Sequence, residues 1–244
     1  MVEPMFWSEF SKEPLVGDRF ELGGSEGKHA ASVRRMRVGE AIQLTDGAGL
    51  RVRGLVSDAL PKSLVITIES VERESPAKNQ ITLIQALAKG DRDELAIQAA
   101  TELGATTITP WQAERSISRW DAAKTAKNIE RWSTITSEAA KQALRPLFPV
   151  VSEPVTSKQL AASANPNFLV LDPTAELSLA DFNVPTEGHV ELIVGPEGGI
   201  SEHELALFEG AGAVRVHLGS GILRTSTAGM AALAFLAGRS GLWR

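Results

Sequence analysis

The residues best suited by type and spacing to do chemistry lie in two loops near the C-terminal end. Gly195, Pro196, Glu197, Gly198 and Gly199 follow the apolar run 190–194. Leu218, Gly219, Ser220, Gly221, Ile222, Leu223, Arg224, Thr225, Ser226 and Thr227 follow the run 214–217. Glycines let backbone approach a ligand closely, and each loop opens a helix whose first N–H groups have no partner within it. Glu197 adds a carboxylate and Arg224 a cation. In strand–loop–helix succession, a right-handed crossover sets both loops at the carboxyl edge of one parallel sheet, where open α/β sheets hold ligands. A small-molecule pocket is therefore expected. One glycine pair could be only a tight turn; two such loops in close succession carry more.

Missing motifs narrow the pocket. No Gly-x-x-x-x-Gly-Lys stands ready for a triphosphate, no Gly-x-Gly-x-x-Gly follows an early strand, and no Gly-x-Ser-x-Gly offers a nucleophile elbow.

The elements that must position these loops read as follows. Segments 41–45, 51–56 and 63–68 alternate apolar and polar residues, with turns at 46–49 and 61–62, and predict a small β-barrel or curled sheet. Segment 72–78, with Pro76, predicts a linker, dividing the chain into domains at 1–72 and 73–244. Strands are then expected at 81–87, 106–109, 168–172, 190–194 and 214–218. Helices are expected at 93–103, 121–144 (stopped by Pro146), 202–209 and 225–237. Ser201 with Glu204 is a capping box for the third of these, and Ser226 can cap the fourth. Strands alternating with helices imply a parallel sheet and an α/β class.

Composition bounds the class. Across 244 residues, 43% hydrophobic and 23% charged are globular values, and there is no cysteine. Disulfides, thiolate metal sites and cysteine nucleophiles are excluded together. Four scattered histidines show no metal spacing, so no metal is expected. No apolar run reaches a membrane span, and the first ten residues lack a basic start followed by an apolar stretch. The expectation is a reduced, cytoplasmic protein. The net charge of −5 speaks against nucleic acid, but Lys28, Arg34, Arg35 and Arg37 cluster with only Glu26 and Glu40 at their borders. Such a patch can contact several phosphates on a net-acidic protein.

An ordered set of blocks carries a resemblance. Lys89-Gly90-Asp91-Arg92, Ala100-Thr101-Glu102-Leu103-Gly104, Glu114-Arg115-Ser116, Arg131-Trp132, Glu138-Ala139-Ala140 with Gln142, Gly195 to Gly199, and Ile222-Leu223-Arg224-Thr225 resemble successive motifs of the RsmE family. His29 and Val33 to Met36 add an N-terminal block. Each block is weak alone, but together they span nearly the whole chain. The family comprises small-subunit ribosomal RNA uridine N3-methyltransferases of the SPOUT superfamily.

The resemblance implies a PUA-like β-barrel preceding a SPOUT-type α/β domain with a deep trefoil knot. It also implies a homodimer, S-adenosylmethionine as cofactor, and 16S rRNA in the assembled small subunit as substrate. Carried across by position, Leu171, Gly195 to Gly199 and Leu218 to Ser226 form the cofactor site, with Ile222 and Leu223 against the adenine. The chain departs from the family at Gly221, where an arginine is common, and at Ser226, where a glutamate is common. It has Ala143-Leu144-Arg145 where members often show Ser-Gly-Arg.

Methyl transfer to uracil N3 needs positioning, loss of the N3 proton, and stabilisation of charge on the flanking oxygens. Arg224 is the first choice for the stabilising cation; equally, it could pair with Glu197 and hold the two loops together. Glu114, Glu138 and Glu197 are the candidate bases, with a water chain to solvent as the alternative. His217 reads as a satisfied core histidine. Arg115 joins Lys28, Arg34, Arg35 and Arg37 as residues for RNA phosphates. Methylation of another target, such as another base or a tRNA, and a non-enzymatic RNA-binding or ribosome-assembly role marked by Gly221 and Ser226, are the competing functions.

Overall fold

The computed structural model describes residues 2–163 and 165–243, which form two compact units. The first unit comprises the chain up to Pro76 together with Ala140–Phe148. Its elements are β1 (Met5–Trp7), β2 (Arg19–Leu22), α1 (Gly24–Lys28) continued by a π-helical turn at His29–Val33, β3 (Ala41–Thr45), β4 (Leu50–Ala59) and β5 (Leu64–Arg73). They form a five-stranded sheet ordered β1-β3-β4-β5-β2, in which only β1 and β3 run parallel. The alternation seen in the sequence is what buries one face: Leu50, Val52 and Val56 of β4 meet Leu64, Ile66 and Ile68 of β5. The edge strands β1 and β2 were not expected. β1 is only an apolar triplet and β2 alternates over just four residues, too short a pattern to read alone, so sheet pairing makes them strands.

Segment 140–148 is held to this unit by polar contacts. Arg51 Nη2 donates to the Leu144 carbonyl at 2.9 Å, and Thr45 Oγ1 donates to the Pro146 carbonyl at 3.1 Å. Lys141 forms a buried ion pair with Glu26.

The second unit begins with β6 (Asn79–Ala86), α2 (Arg92–Glu102) and β7 (Thr107–Gln112). Next comes α3 (Ala122–Gln142), whose last residues belong to the first unit. β8 (Val150–Val151), β9 (Val155–Thr156), α4 (Ser157–Ser163), β10 (Phe168–Leu171), β11 (Gly188–Val194), α5 (Glu202–Gly210), β12 (Val214–Val216) and α6 (Thr225–Ser240) complete it. All its strand pairings are parallel, in the order β12-β10-β11-β6-β7-β8, with β9 also on β7. Helices cover both faces, which is why β10 is a continuous apolar run and why successive residues of β6 and β11 are buried on both faces, Thr82 and Gln85 included. Leu83, Leu169, Leu192 and Val194 pack with Ile97, Leu233 and Leu236 of α2 and α6. Ile84, Phe168, Val170 and Ile193 pack with Leu160 and Phe208 of α4 and α5. Helix α6 lies close on the sheet at Gly229, where a Cβ would stand 3.2 Å from Val194 and 3.3 Å from Leu83.

Three expectations change. β10 lies between β11 and β12, so the strands that launch the two glycine loops are not neighbours. Within the helix expected at 93–103, the apolar Leu95 is 50% exposed, and Ala96, Ile97 and Ala100 make the buried face. Helix α3 ends at Gln142, before Leu144 turns into the left-handed region at φ 53°. The residue before Pro146 is itself disfavoured in a helix. No helix among the described residues is long and apolar enough to cross a membrane.

Candidate active site

The carboxyl ends of β10, β11 and β12 open onto a cleft of about 650 Å³. Because β10 sits between the other two, its end contributes Leu171, Asp172, Pro173 and Thr174 between the glycine loops. Gly195, Pro196, Glu197, Gly199 and Ile200 form one wall, and Leu218, Gly221, Ile222, Leu223, Arg224 and Thr225 the other. Of the sequence-predicted cofactor residues, Gly198, Gly219 and Ser226 do not line it. Ser220, in the same loop, does not line it either.

The loops are joined by one hydroxyl. Thr225 Oγ1 donates to the Gly195 carbonyl at 2.7 Å and accepts from the buried Gln85 side chain at 3.0 Å. Arg224 occupies the N-cap position of α6 without a side-chain cap bond. Ser226 therefore lies inside the first turn, too far along to cap the helix as expected. Across the cleft, the capping box of Ser201 and Glu204 is present at α5. The buried Glu204 carboxylate also accepts from the Glu114 N–H at 2.8 Å and from Ser157 Oγ at 2.7 Å, tying the loop after β7 to this helix.

Three carboxylates and three arginines line the cleft, and their pairing differs from what the sequence suggested. Glu197 pairs with Arg92 at 3.0 Å and also accepts the Lys89 N–H at 3.2 Å. Burial pushes the Glu197 carboxyl up, but its own loop's N–H, Lys89 and Arg92 outweigh it and hold the group below its usual value. Arg224 is exposed and forms no ion pair among the described residues, so it does not clamp the loops through Glu197. Asp172 pairs with Arg215 and caps Thr174. Burial again pushes it up, and the Thr174 and Arg215 donors hold it down. Glu202 has no cationic partner among the described residues. Arg115 lies in the cleft and donates to the Gly198 carbonyl at 3.2 Å.

Glu114 and Glu138 stand outside the cleft lining. Glu114 accepts from Ser201 Oγ at 2.6 Å and contacts His203 Nδ1 at 2.7 Å. These contacts, the Ser201 bond first, hold its carboxyl below the usual range, which makes it a weak base. Glu138 is an exposed residue of α3. His217 is half-buried and lines the cleft, with Nδ1 accepting the Gly219 N–H at 2.9 Å. It is not a core residue, because β12 ends at Val216 and the strand alternation stops there. Lys28, Arg34, Arg35 and Arg37 are all exposed in the first unit, with no ion pairs among the described residues. Arg35 is held at φ 55° beside the buried Met36.

Sequence reasoning missed Arg92, Asp172 and Thr174. The signal for Asp172 was present, since an acidic residue directly follows a strand at its carboxyl end. Arg92 stood in the block Lys89-Gly90-Asp91-Arg92, but its pairing with Glu197 was not legible, because that partner is far along the chain.

Residues 74–237 match the RNA methyltransferase domain family, and residues 22–69 match the RNA methyltransferase PUA domain. The chain is 39% identical to the ribosomal RNA small subunit methyltransferase E of Mycobacterium bovis, over 90% of this chain and 86% of that protein. The chain belongs to the ribosomal RNA small subunit methyltransferase E family. The Bacillus subtilis member of that family is 32% identical over 98% of both chains. The crystal structure of the Neisseria gonorrhoeae member bound to S-adenosyl methionine superposes with a TM-score of 0.85 at 30% identity, covering 97% of this chain and 98% of that one.

Proposed function

We propose that this chain transfers the methyl group of S-adenosylmethionine to N3 of a uridine in 16S rRNA of the small ribosomal subunit. The carrying observation is the cleft where both glycine loops and the end of β10 converge within the methyltransferase domain. Its chemistry suits the cofactor. Leu171, Val216, Leu218, Ile222 and Leu223 offer apolar walls for adenine, and the Glu202 carboxylate, without an ion pair among the described residues, suits a cationic ligand. At Gly199, with φ 72°, an added Cβ would meet only Arg115 Nη1 at 4.0 Å. Backbone is thus left open to a ligand there.

When bound, S-adenosylmethionine supplies a methyl group already activated on a sulfonium. The chain's own task is to orient the uracil and stabilise its charge. Loss of the N3 proton spreads negative charge over N3 and the flanking carbonyl oxygens, and formation of the N3–methyl bond then neutralises it. Arg224, with no carboxylate partner among the described residues, is the cation assigned to those oxygens. Glu197 is the one candidate base that lines the cleft, but its donors make it a weak one, so water carries the proton away. Lys28, Arg34, Arg35, Arg37 and Arg115 hold RNA phosphates. The active species is a homodimer acting on assembled subunits in the cytoplasm.

The test is methyl transfer from labelled S-adenosylmethionine to subunits lacking the modification, followed by nucleoside analysis. Labelled 3-methyluridine supports the assignment. Another labelled nucleoside removes the target, and no label despite cofactor binding removes the reaction.

A further inference from the structure

A second cleft, of about 490 Å³, opens beside the first in the second unit. The two share their dividing wall. Lys89 lines the second cleft while its N–H bonds to Glu197 of the first. The loop after β7 sends Arg115 into the first cleft and Ile117 to Arg119 into the second.

The lining of the second cleft is cationic where it is accessible. Lys124 and Arg131 are matched by Asp121 and Glu94. Lys89 has no ion pair among the described residues, and Arg119 donates only to the Glu114 carbonyl at 3.2 Å. These two charges are left over. Asn128 offers a donor and an acceptor together, and Ile117, 69% exposed, offers an apolar surface. The floor is closed by the edge-to-face pair Trp120 and Trp132, with ring centroids 4.9 Å apart. Anion-binding charges, a polar group that can read an edge and an apolar rim together match a nucleotide. The volume lies in the usual range for small-ligand sites, about 300–1,000 Å³.

We infer that this cleft is an RNA subsite that holds the nucleotide adjoining the methylated one, with Lys89 and Arg119 on its phosphate and Asn128 on its base. The inference rests on the first cleft being where the RNA is methylated. Lys89 and Arg119 are therefore positioning residues, and their contribution is to substrate binding.

The experiment compares Lys89→Ala, Arg119→Ala and Lys89→Arg with the wild type in binding to unmodified small subunits between about 50 and 200 mM salt. Each alanine variant is expected to bind about tenfold more weakly, the loss of one charge-assisted contact. Each should also flatten the log–log salt slope by roughly 0.7–0.9. Lys89→Arg should keep the slope, and cofactor affinity should be unchanged in all three. Wild-type affinity and slope in both alanine variants would overturn the subsite. So would weakened binding accompanied by a change in oligomeric mass, since the cleft would then hold a protein partner. Salt-dependent wild-type binding without methyl transfer would remove the assigned reaction and with it the subsite's place beside a methylated nucleotide, whereas methyl transfer with unchanged alanine variants would remove the subsite alone.

Discussion

Thr225→Val isolates the hydroxyl that joins the two loops of the cleft. Valine keeps the branched shape of threonine, so packing against the sheet is conserved while two hydrogen bonds are lost. Gln85 is fully buried; its side-chain N–H group retains only the Ala86 carbonyl at 3.2 Å, and its Oε1 already has no partner among the described residues. Leaving one of its protons unbonded costs about 1–3 kcal/mol. The Gly195 carbonyl is half-buried and water can replace the lost donor, which limits its share to about 1 kcal/mol. Together the loss is about 2–4 kcal/mol. Urea denaturation followed by tryptophan fluorescence should show the midpoint falling at unchanged slope. Cofactor affinity should fall with it, since the bond sets the distance between the walls, and Thr225→Ser should restore both. A double-mutant cycle with Gln85→Leu should give a coupling of about 1 kcal/mol or more, because each substitution removes the same bond. A loss below about 0.5 kcal/mol, or a serine variant as weak as the valine one, would refute this account.

Other outcomes follow from the same geometry. Arg224→Ala should lower the single-turnover methylation rate by about 10²–10³ if its charge meets the developing oxyanion; a change confined to substrate affinity would remove that role. Gly199→Val should abolish cofactor binding in calorimetry while circular dichroism stays native, since φ 72° disfavours a branched residue and its side chain would project into open cleft space. Retained affinity would displace the cofactor from this loop. Burial raises the Asp93 carboxyl to about 6, despite the Ala88 and Glu94 N–H groups that lower it. Its folded value therefore lies above the unfolded value of about 3.9, so the native state binds the extra proton and loses stability as pH rises through that window. The loss is about 3 kcal/mol. Asp93→Asn should gain that amount on the wild type between pH of about 4 and about 7; a pH-independent difference between the two would rule out Asp93 as the titrating group.

The sequence by itself determined the local elements and the type of site. Alternation marked β3, β4 and β5; short segments rich in apolar residues marked β6, β10 and β11; and Ser201 with Glu204 marked the start of α5, because each signal acts within a few residues. The glycine loops, with Glu197 and Arg224 in them, were legible for the same reason, and so was the ordered set of family blocks. Only the tertiary structure decided what stands between and beside those loops. The insertion of β10 between β11 and β12 brought Asp172 and Thr174 into the cleft, and strand order is set by long-range pairing that no single strand encodes. Glu197 found Arg92 rather than Arg224, and Arg115 turned to the Gly198 carbonyl, because a charged side chain takes the partner that folding brings within reach. Segment 140–148 joined the first unit through the Leu144 and Pro146 carbonyls, whose partners Arg51 and Thr45 lie far earlier in the chain. Such contacts depend on chain closure over long loops, and the residues that make them carry no local mark of it.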